Sequence, residues 1–479
     1  MSTTRCIHIQ PDHAAVLAQG MQAIQTEMDL PLAFPPEVEA AAAAAAANPR
    51  LPPLDRGDIP LVTLDPASSM DLDQAMYVQR RDGGYRVFYA IADVAAFVTH
   101  GDAIDLEAHR RGETLYGADA KIPLHPKVLS EGAASLLPDQ WRPALLWTID
   151  LDGSGEGVAV DVRRARVRSR AKLDYAGVQR LIDAGAADPM WAVLREIGEL
   201  RKQREQARGG VSLPLPEQEV EVVDGRWRLS FRARLAVEDW NEQISLLTGM
   251  AAAHLMLQAG MGLLRTLPEP DPHALDRLRI TARALQIPWP ATLDYPGFIR
   301  SLDPTRDTHI AMLTAATSVL RGAGYLAFNG GAPAQSTHSA LAAHYTHATA
   351  PLRRLVDRYT GELCVALCAG QPAPDWVLSA LPGLPATMQV SARRAHQYER
   401  AVLDLAESAM LAPRVGETFD GAIVEVAATD ARKGIVIVRE QAVEAGVSSG
   451  GGALPLGGDV RVVLVEADPL KRATHFALR

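Results

Sequence analysis

The apolar pattern of the chain changes at Ile59 and again at Pro413, and these changes limit the possible folds more than any other feature of the sequence. Before Ile59, apolar and helix-forming residues recur at helical spacing over 14–28, and a second helical run covers 37–47. After Pro413, short β-branched runs alternate with turn residues, as strands do. We therefore expect a helical N-terminal region, a mixed central domain and a C-terminal β-domain.

The central region combines strand and helix patterns, which predicts an α+β fold. Helical periodicity dominates over 175–208 and from 235 to about 411. Apolar and β-branched runs indicate strands at 61–64, 85–98, 144–150, 157–169 and 220–231. The predicted catalytic domain spans 57–412, and the N-terminal region, 1–56, is either a small helix-turn-helix-like unit or a strap on that domain.

The C-terminal region, 413–479, is predicted to be a small β-barrel. A segment of about 65 residues with short strands and frequent turns suits a five-stranded OB-fold, which commonly binds single-stranded nucleic acid. Strands are expected at 419–426, 434–439, 460–465 and 475–478.

Composition excludes several classes of protein. The 479 residues are 48% hydrophobic and 22% charged, so the chain is neither disordered nor fibrous. The net charge of −9 argues against a basic protein that coats nucleic acid, although a local basic track is compatible with it. Three cysteines cannot form a disulfide framework or a zinc quartet, and Cys364 and Cys368 are expected to be small buried residues.

One apolar stretch, 246–264, is long enough to span a bilayer. Its glycines, its histidine and the acidic approach at 238–242 fit a buried core helix better. The first thirty residues also lack the basic start and apolar run of a signal peptide. We therefore expect a cytoplasmic protein with no membrane partner.

Three carboxylates lie close together in the loop that follows the strand at 61–64: Asp65, Asp71 and Asp73. Asp71 and Asp73 are two residues apart, so in an extended loop they project to the same side. Crowded carboxylates repel one another and are typical ligands of Mg²⁺ or Mn²⁺. From composition alone, a polar turn whose Asp and Ser residues cap backbone N–H groups is the commoner explanation.

Basic residues form two further clusters. Pro351 is placed to begin a helix, which puts Arg353 and Arg354 in a first turn that disfavours cations and so suggests a function such as binding a phosphate. Alternatively, both arginines are solvated and pair with Asp357. Four arginines that alternate along one strand could line a nucleic-acid path or form a solvated outer face: Arg164, Arg166, Arg168 and Arg170.

Together these motifs resemble the RNB family, the ribonuclease II and ribonuclease R group of 3′→5′ exoribonucleases. Four ordered motifs carry the resemblance: the Asp65 loop, 85–98, 112–143 and 345–357. It covers about 55–411, and the C-terminal barrel corresponds to the RNA-binding OB module of the family. The resemblance implies a mixed β-sheet or barrel surrounded by helices. It also implies a metal-dependent hydrolase that removes nucleoside 5′-monophosphates from the 3′ end of single-stranded RNA.

The resemblance also implies residue roles. Asp65, Asp71 and Asp73 would be catalytic carboxylates that bind Mg²⁺, with Mn²⁺ as a possible substitute. Tyr116 would stack on the terminal nucleotide, and Arg353 would hold the scissile phosphate as a bidentate donor. Glu399 matches a less constant acidic position near the RNA 3′ end. The aromatic partner of Tyr116 is not identified by any motif.

Two features depart from the family pattern. The usual loop ends in consecutive aspartates, whereas this one has Asp73 followed by Gln74, whose carbonyl oxygen could bind a metal but carries no charge. An active enzyme is expected, since the other site residues remain. The alternatives are an impaired RNB-like protein that binds RNA 3′ ends without cleavage, and a phosphodiesterase for DNA or a small nucleotide. About 56 N-terminal residues are too few for the family's cold-shock domains.

We therefore expect a more open channel entrance that tolerates duplex RNA behind a 3′ overhang, and a monomeric protein.

Overall fold

The computed structural model describes residues 5–8, 14–117, 121–215, 217–223, 226–232, 234–304, 306–438 and 443–479. The N-terminal region contains one strand and two helices: β1 (Arg5–His8), α1 (Ala14–Glu27) and α2 (Pro36–Ala47). The two helices confirm the predicted pattern. The strand was not predicted, because its four residues form it only by adding to the edge of a hairpin more than 200 residues away in sequence.

The central region contains these strands in chain order: β2 (Thr63–Asp65), β3 (Gln74–Arg81), β4 (Gly84–Ala92), β5 (Leu115–Tyr116), β6 (Lys121–Ile122), β7 (Trp141–Asp152), β8 (Gly157–Arg168), β9 (Lys172–Asp174), β10 (Glu217–Val223), β11 (Arg226–Arg232), β12 (Met261–Thr266), β13 (Gly324–Asn329), β14 (Thr337–His338) and β15 (Ala343–His344). The helices of this region are α3 (Ala103–Arg111), α4 (Tyr175–Asp183), α5 (Pro189–Arg208), α6 (Ala236–Ala259), α7 (Pro272–Ala284), α8 (Tyr295–Arg300), α9 (Asp307–Ala316), α10 (Leu355–Cys368), α11 (Asp375–Ala380) and α12 (Leu384–Leu411).

A four-stranded antiparallel sheet in the order β3-β4-β7-β8 forms the centre of the fold. Successive side chains of a strand point to opposite faces. In β4, Val87, Tyr89 and Ile91 therefore join one hydrophobic cluster with α5, α6 and α10. Phe88 and Ala90 join a second cluster with α2 and α3. Helices cover the sheet on both faces, which explains why β4 is a nearly continuous apolar run.

The C-terminal region is a closed five-stranded barrel with the order β16-β17-β18-β20-β19. Its strands are β16 (Thr418–Val426), β17 (Lys433–Val438), β18 (Val443–Ser448), β19 (Asp459–Asp468) and β20 (Ala473–Leu478). The predicted OB-type barrel is confirmed, and β18 is the strand that the sequence pattern did not indicate. Helix α1 packs against α12 beside the barrel, with Ile24 and Leu405 in one buried cluster.

Two features of the central region differ from the sequence prediction. Strand β3 was not predicted, because its second half ends in Gln79, Arg80 and Arg81 and carries no clear apolar alternation. The apolar stretch 246–264 is not one helix: α6 ends at Gly260, which adopts a φ of 70°, and the chain continues as the buried strand β12. Within the described residues, no helix combines the length and apolarity needed to cross a bilayer.

Gly249 in α6 allows the segment before Arg353 to pass close to the helix. A Cβ atom at this position would lie 2.2 Å from Cε2 of Tyr345 and 2.4 Å from the carbonyl oxygen of Thr346. The second contact is to backbone, which cannot rotate away as a side chain can. This close approach sets the separation between α6 and the backbone at Tyr345 and Thr346.

Replacing Gly249 by alanine should therefore destabilise the protein. Overpacking costs about 1–3 kcal/mol, and the better helix propensity of alanine returns at most about 1 kcal/mol. Urea denaturation should show a lower free energy of unfolding for Gly249→Ala. Gly451→Ala, at a glycine with open space around it, is the matched control and should stay within about 0.5 kcal/mol of the parent. Equal stability of the two variants would contradict the close approach.

Candidate active site

The carboxylate loop connects β2 to β3 and is held in place by backbone contacts. Strand β2 pairs in parallel with β9, which places Asp65 opposite Asp174. Leu72 is fully buried, and its N–H donates to Oγ of Ser135 at 3.0 Å. The Ser135 hydroxyl in turn donates to the carbonyl of Met70. These contacts anchor the loop between its first and last carboxylates, so their positions do not depend on side-chain packing alone.

Asp73 and Arg353, which lie 280 positions apart in the sequence, meet at the end of this loop. The buried Asp73 accepts a hydrogen bond from the Leu352 N–H at 2.7 Å through Oδ1. Its Oδ2 lies 3.8 Å from Nε of Arg353. The fold therefore brings together two clusters that the sequence analysis identified separately.

The positive charges near Asp65 and Asp73 do not compensate for the burial of the two carboxylates. Oδ2 of Asp65 is buried and has no hydrogen-bond partner among the described residues. Burial, together with the charge of Asp71, raises the pKa of Asp65 to about 6, against the lowering effect of Arg353 and Lys172. Burial also raises the pKa of Asp73 well above its ordinary value, despite Arg353 and the Leu352 N–H.

Asp71 has a different environment from the other two carboxylates. Its Oδ1 lies 2.7 Å from Nζ of Lys121, and the same ammonium lies 2.9 Å from Oε1 of Glu131. Burial lowers the pKa of Lys121, but the hydrogen bonds to Asp71 and Glu131 raise it by more than burial lowers it. The pKa of Lys121 therefore lies above its ordinary value. Across the part of the chain that the structure describes, no three acidic, histidine or cysteine side chains converge closely enough to form a complete metal site.

The residues of the loop nevertheless fit a divalent cation. Asp65 has a buried carboxylate oxygen without a partner, and Asp73 of the same loop is a buried carboxylate; both are charges that a hard cation stabilises. Gln74 lies beside them at the start of β3, and its Nε2 donates to the carbonyl of Thr349. This leaves only Oε1 of Gln74 for a metal, so its role as a ligand stays a prediction.

Arg353 and Arg354 have different environments, and the helix start predicted at Pro351 was wrong by four residues. Helix α10 begins at Leu355, because Arg354 adopts an extended conformation with φ −144° and ψ 121°. Arg354 is largely buried and forms a two-bond ion pair with the buried Asp357, at 2.6 and 2.9 Å. Arg353 precedes the helix, and its side chain is 46% exposed. Only Arg353 is therefore placed to bind an incoming anion.

Tyr116 lies at the same site. The residue is 42% exposed, so part of it is accessible to a ligand. Burial of the hydroxyl raises its pKa, and Asp71 and Asp73 raise it while Arg353 lowers it, so the phenol lies within electrostatic range of all three. The predicted partners Tyr116, Arg353 and the Asp65 loop are thus brought together.

Glu399, the remaining predicted site residue, lies on helix α12. It lies on an exposed part of α12, and its described interactions are electrostatic ones with His396 and Glu113. None of these joins it to the Asp65 loop, so a role near the RNA 3′ end stays a prediction.

The alternating arginines of β8 are paired locally. Arg164 contacts Asp93 at 2.8 Å and also contacts Glu362. The next two alternate positions pair in the same way, Arg166 with Asp55 at 2.8 Å and Arg168 with Asp139 at 3.3 Å. Arg170 lies beyond the end of the strand. This favours an ion-paired outer face over a nucleic-acid path.

The sequence analysis missed Lys121 and Glu131. The local sequence gave little signal: Lys121 precedes the apolar residues 122–124, and Glu131 follows ten positions later.

Two family models match the chain. The one described as the RNB domain matches residues 55–368, and the one described as the RNase II-type exonuclease C-terminal S1 domain matches 417–479. Among curated proteins, Ribonuclease R of Escherichia coli (strain K12) is 27% identical over 403 residues, which cover 78% of this chain and 48% of that protein. The chain therefore spans about half the length of this relative.

Solved structures share the fold. Mycoplasma genitalium RNase R, in complex with ribose methylated single-stranded RNA, matches with a TM-score of 0.86 and 20% identity over 97% of this chain and 78% of that chain. Yeast Ssd1, described as a pseudonuclease, matches with a TM-score of 0.69 and 14% identity over 92% of this chain and 56% of its own. At these identities the likeness concerns the fold alone.

The raised pKa of Asp65 predicts a pH-dependent loss of stability in the metal-free protein. The ordinary pKa is 3.8 and the folded value is about 6. Folding therefore favours the protonated form, and this stability is complete below about pH 4 and is lost as the pH rises through 6. Two pKa units correspond to about 3 kcal/mol. With EDTA present, the free energy of unfolding of Asp65→Asn relative to the parent should rise between pH 4 and pH 8.

Mg²⁺ should reduce this difference at pH 8, because a cation bound to the folded parent stabilises it. Asp82→Asn, at an exposed turn, is the control and should show no such trend. A constant difference between Asp65→Asn and the parent across the pH range would contradict the assigned environment of Asp65.

Proposed function

The chain belongs to the RNB family, the RNase R and RNase II type of 3′→5′ exoribonucleases, and on this basis we propose that it hydrolyses single-stranded RNA from the 3′ end with the help of a divalent cation. The products would be nucleoside 5′-monophosphates. One observation supports this above the others: a partly exposed guanidinium, that of Arg353, lies 3.8 Å from a buried carboxylate, that of Asp73. Metal-assisted cleavage of a phosphodiester uses a cationic donor for the phosphate and a carboxylate that holds the metal ion.

Asp65 and Asp73 would hold Mg²⁺ or Mn²⁺, with Asp71 and Gln74 as further candidate ligands. When bound there, the cation supplies Lewis acidity, since it polarises a phosphoryl oxygen and lowers the pKa of a water molecule. Arg353 would form two hydrogen bonds to the non-bridging oxygens of the scissile phosphate and stabilise the charge that develops on them. Its backbone is fixed, because the preceding N–H is hydrogen bonded to Asp73.

Binding of the RNA would not depend on its sequence. The exposed ring of Tyr116 offers a stacking surface for the terminal base, and every base has a face that can stack. The five-stranded C-terminal barrel is of a type that binds single strands. The local charge of such a path is compatible with a net charge of −9, because a cleft can focus a positive field inside an acidic exterior. A cytoplasmic location, a monomeric state and tolerance of duplex RNA behind a 3′ overhang are parts of the proposal.

A second candidate is a protein that binds RNA 3′ ends without cleaving them. Two observations favour it: position 74 carries an amide, and Asp71 is already ion-paired with Lys121. The fold of yeast Ssd1, which is described as a pseudonuclease, is similar.

The two candidates differ in one assay. Single-stranded RNA labelled at its 5′ end should give a ladder that shortens from the 3′ end in Mg²⁺ and should stay intact in EDTA. Asp73→Asn should abolish the ladder, because it removes a negative charge from the cation site. Asp82→Asn, at the exposed turn between β3 and β4 and so at the opposite end of β3 from the loop, is the control. Intact RNA that shifts on a native gel in Mg²⁺ would favour the binding protein and contradict the exoribonuclease.

Gln74→Asp tests whether position 74 faces the cation. If the added carboxylate binds the cation, we expect it to strengthen Mg²⁺ binding by about 1.4 kcal/mol. The Mg²⁺ concentration that gives the half-maximal rate would then fall about tenfold. Gln79→Asp, on the same strand but away from the loop, controls for the added charge. If the Mg²⁺ dependence of Gln74→Asp equals that of the parent, position 74 does not act as a ligand.

A further inference from the structure

Lys121 places a permanent positive charge inside the carboxylate loop. Its ammonium lies 2.7 Å from Asp71 and 2.9 Å from Glu131, and the three side chains are 21%, 13% and 22% exposed. Exposed ion pairs on long side chains are weak and change partners. This group is largely shielded from water and has two anionic partners, so it is a fixed element of the site.

The fold fixes Lys121 through the same hairpin that carries Tyr116. Tyr116 in β5 pairs with Lys121 in β6, and cross-strand partners project from the same face of a sheet. The neighbouring Leu115 and Ile122 are buried. At the start of the hairpin, the Thr114 N–H donates to the carbonyl of Arg353 at 2.9 Å. Lys121, Tyr116 and Arg353 therefore belong to one connected framework.

The loop is divided between two kinds of carboxylate. Asp71 is neutralised by a side chain, whereas Asp65 has a buried oxygen without a partner and Asp73 faces Arg353 at the longer distance of 3.8 Å. Three aspartates and Glu131, set against Lys121, Arg353 and Lys172, leave a charge of minus one. One divalent cation more than neutralises this charge, and a second would add a further excess of positive charge.

The neutral side chain of Gln74 is consistent with a loop that binds one divalent cation. At this position a carboxylate would add the negative charge that a second cation needs. The amide instead donates to the carbonyl of Thr349, a contact that a carboxylate cannot make. The neutral side chain at position 74 and the ammonium at position 121 both reduce the net negative charge that metal ions would have to neutralise.

We propose that Lys121 takes the place of a second divalent cation at Asp71, so that the chain binds a single divalent cation between Asp65 and Asp73. This inference rests on the metal site of the proposed function. Lys121 acts through Asp71 and is a positioning residue: it holds that carboxylate and neutralises its charge.

The inference is tested by titrating the purified full chain with Mn²⁺ in the absence of RNA and counting bound ions by electron paramagnetic resonance. The parent should bind one Mn²⁺ per chain. Lys121→Met removes the ammonium at similar length and should allow a second Mn²⁺ to bind at Asp71. Lys121→Arg keeps the charge and should restore the single ion. Two ions on the parent, or one ion of unchanged affinity on Lys121→Met, would overturn the proposal.

Lys172→Met is the matched control. Lys172 lies beside the same loop and donates to the carbonyl of Ala67, so its loss removes an equal charge without freeing Asp71. It should leave the count at one ion. A second ion on Lys172→Met would mean that general charge, and not the contact with Asp71, sets the number of ions.

A further variant covers the case in which Lys121→Met does not fold. Asp71→Asn should leave one Mn²⁺ bound with nearly the parent affinity, because Asp71 is already occupied by Lys121. Loss of Mn²⁺ from Asp71→Asn would show that Asp71 is a ligand and would overturn the inference. The titration contains no RNA, so a chain that binds one Mn²⁺ but leaves RNA intact would refute the exoribonuclease and retain this inference. An active chain that binds two ions would do the reverse.

Discussion

The arrangement of the site depends on one hydrogen bond, from the Leu352 N–H to the buried carboxylate of Asp73. It joins a loop at the start of the central sheet to the segment that enters α10. A hydrogen bond to a charged group contributes about 1.5–3 kcal/mol, but burial of the carboxylate opposes this and raises the pKa of Asp73. The bond therefore contributes more to position than to stability. It sets the distance between Asp73 and Arg353, and a cation would stabilise the buried charge that remains.

A nearby ion pair, between Arg354 and Asp357, supports the hydrogen bond to Asp73. Arg354 pairs with Asp357, and Oδ1 of Asp357 also accepts a hydrogen bond from the Ala350 N–H at 2.7 Å. Buried ion pairs give little net stability, but loss of one partner is costly because the other is left unpaired in a dry environment. Arg354 thus shapes the turn from 350 to 354, and the adjacent Arg353 remains available to a ligand. Two neighbouring arginines with the same charge thus differ in their partners: Arg354 is paired with Asp357, whereas Arg353 is 46% exposed and lies 3.8 Å from Asp73.

The sequence predicted the parts of this structure that depend on local pattern. The helices at the N-terminus, the long α12 and the C-terminal barrel follow from periodicity and turn residues. Strand β3 was missed because its contacts with β4, and not its own pattern, make it a strand. The role of Lys121 could not be predicted either, because it depends on a two-residue strand pairing and on a loop 50 positions earlier in the chain. Local sequence carries no information on such long-range contacts.

The β5–β6 hairpin connects recognition with electrostatics. Tyr116 and Lys121 are cross-strand partners, so a base stacked on the phenol ring, as proposed, would contact the same hairpin that holds the ammonium against Asp71. A bound metal ion exchanges with solvent, and its occupancy depends on the metal concentration. The ammonium of Lys121 is covalently attached to a strand, so it is always present at the same place. The ammonium of Lys121 cannot act as a Lewis acid, but under the proposal it would keep Asp71 from competing for the single metal ion that does. The division of the loop between Lys121 and a metal would thus preserve the catalytic ion while it neutralises the remaining carboxylate.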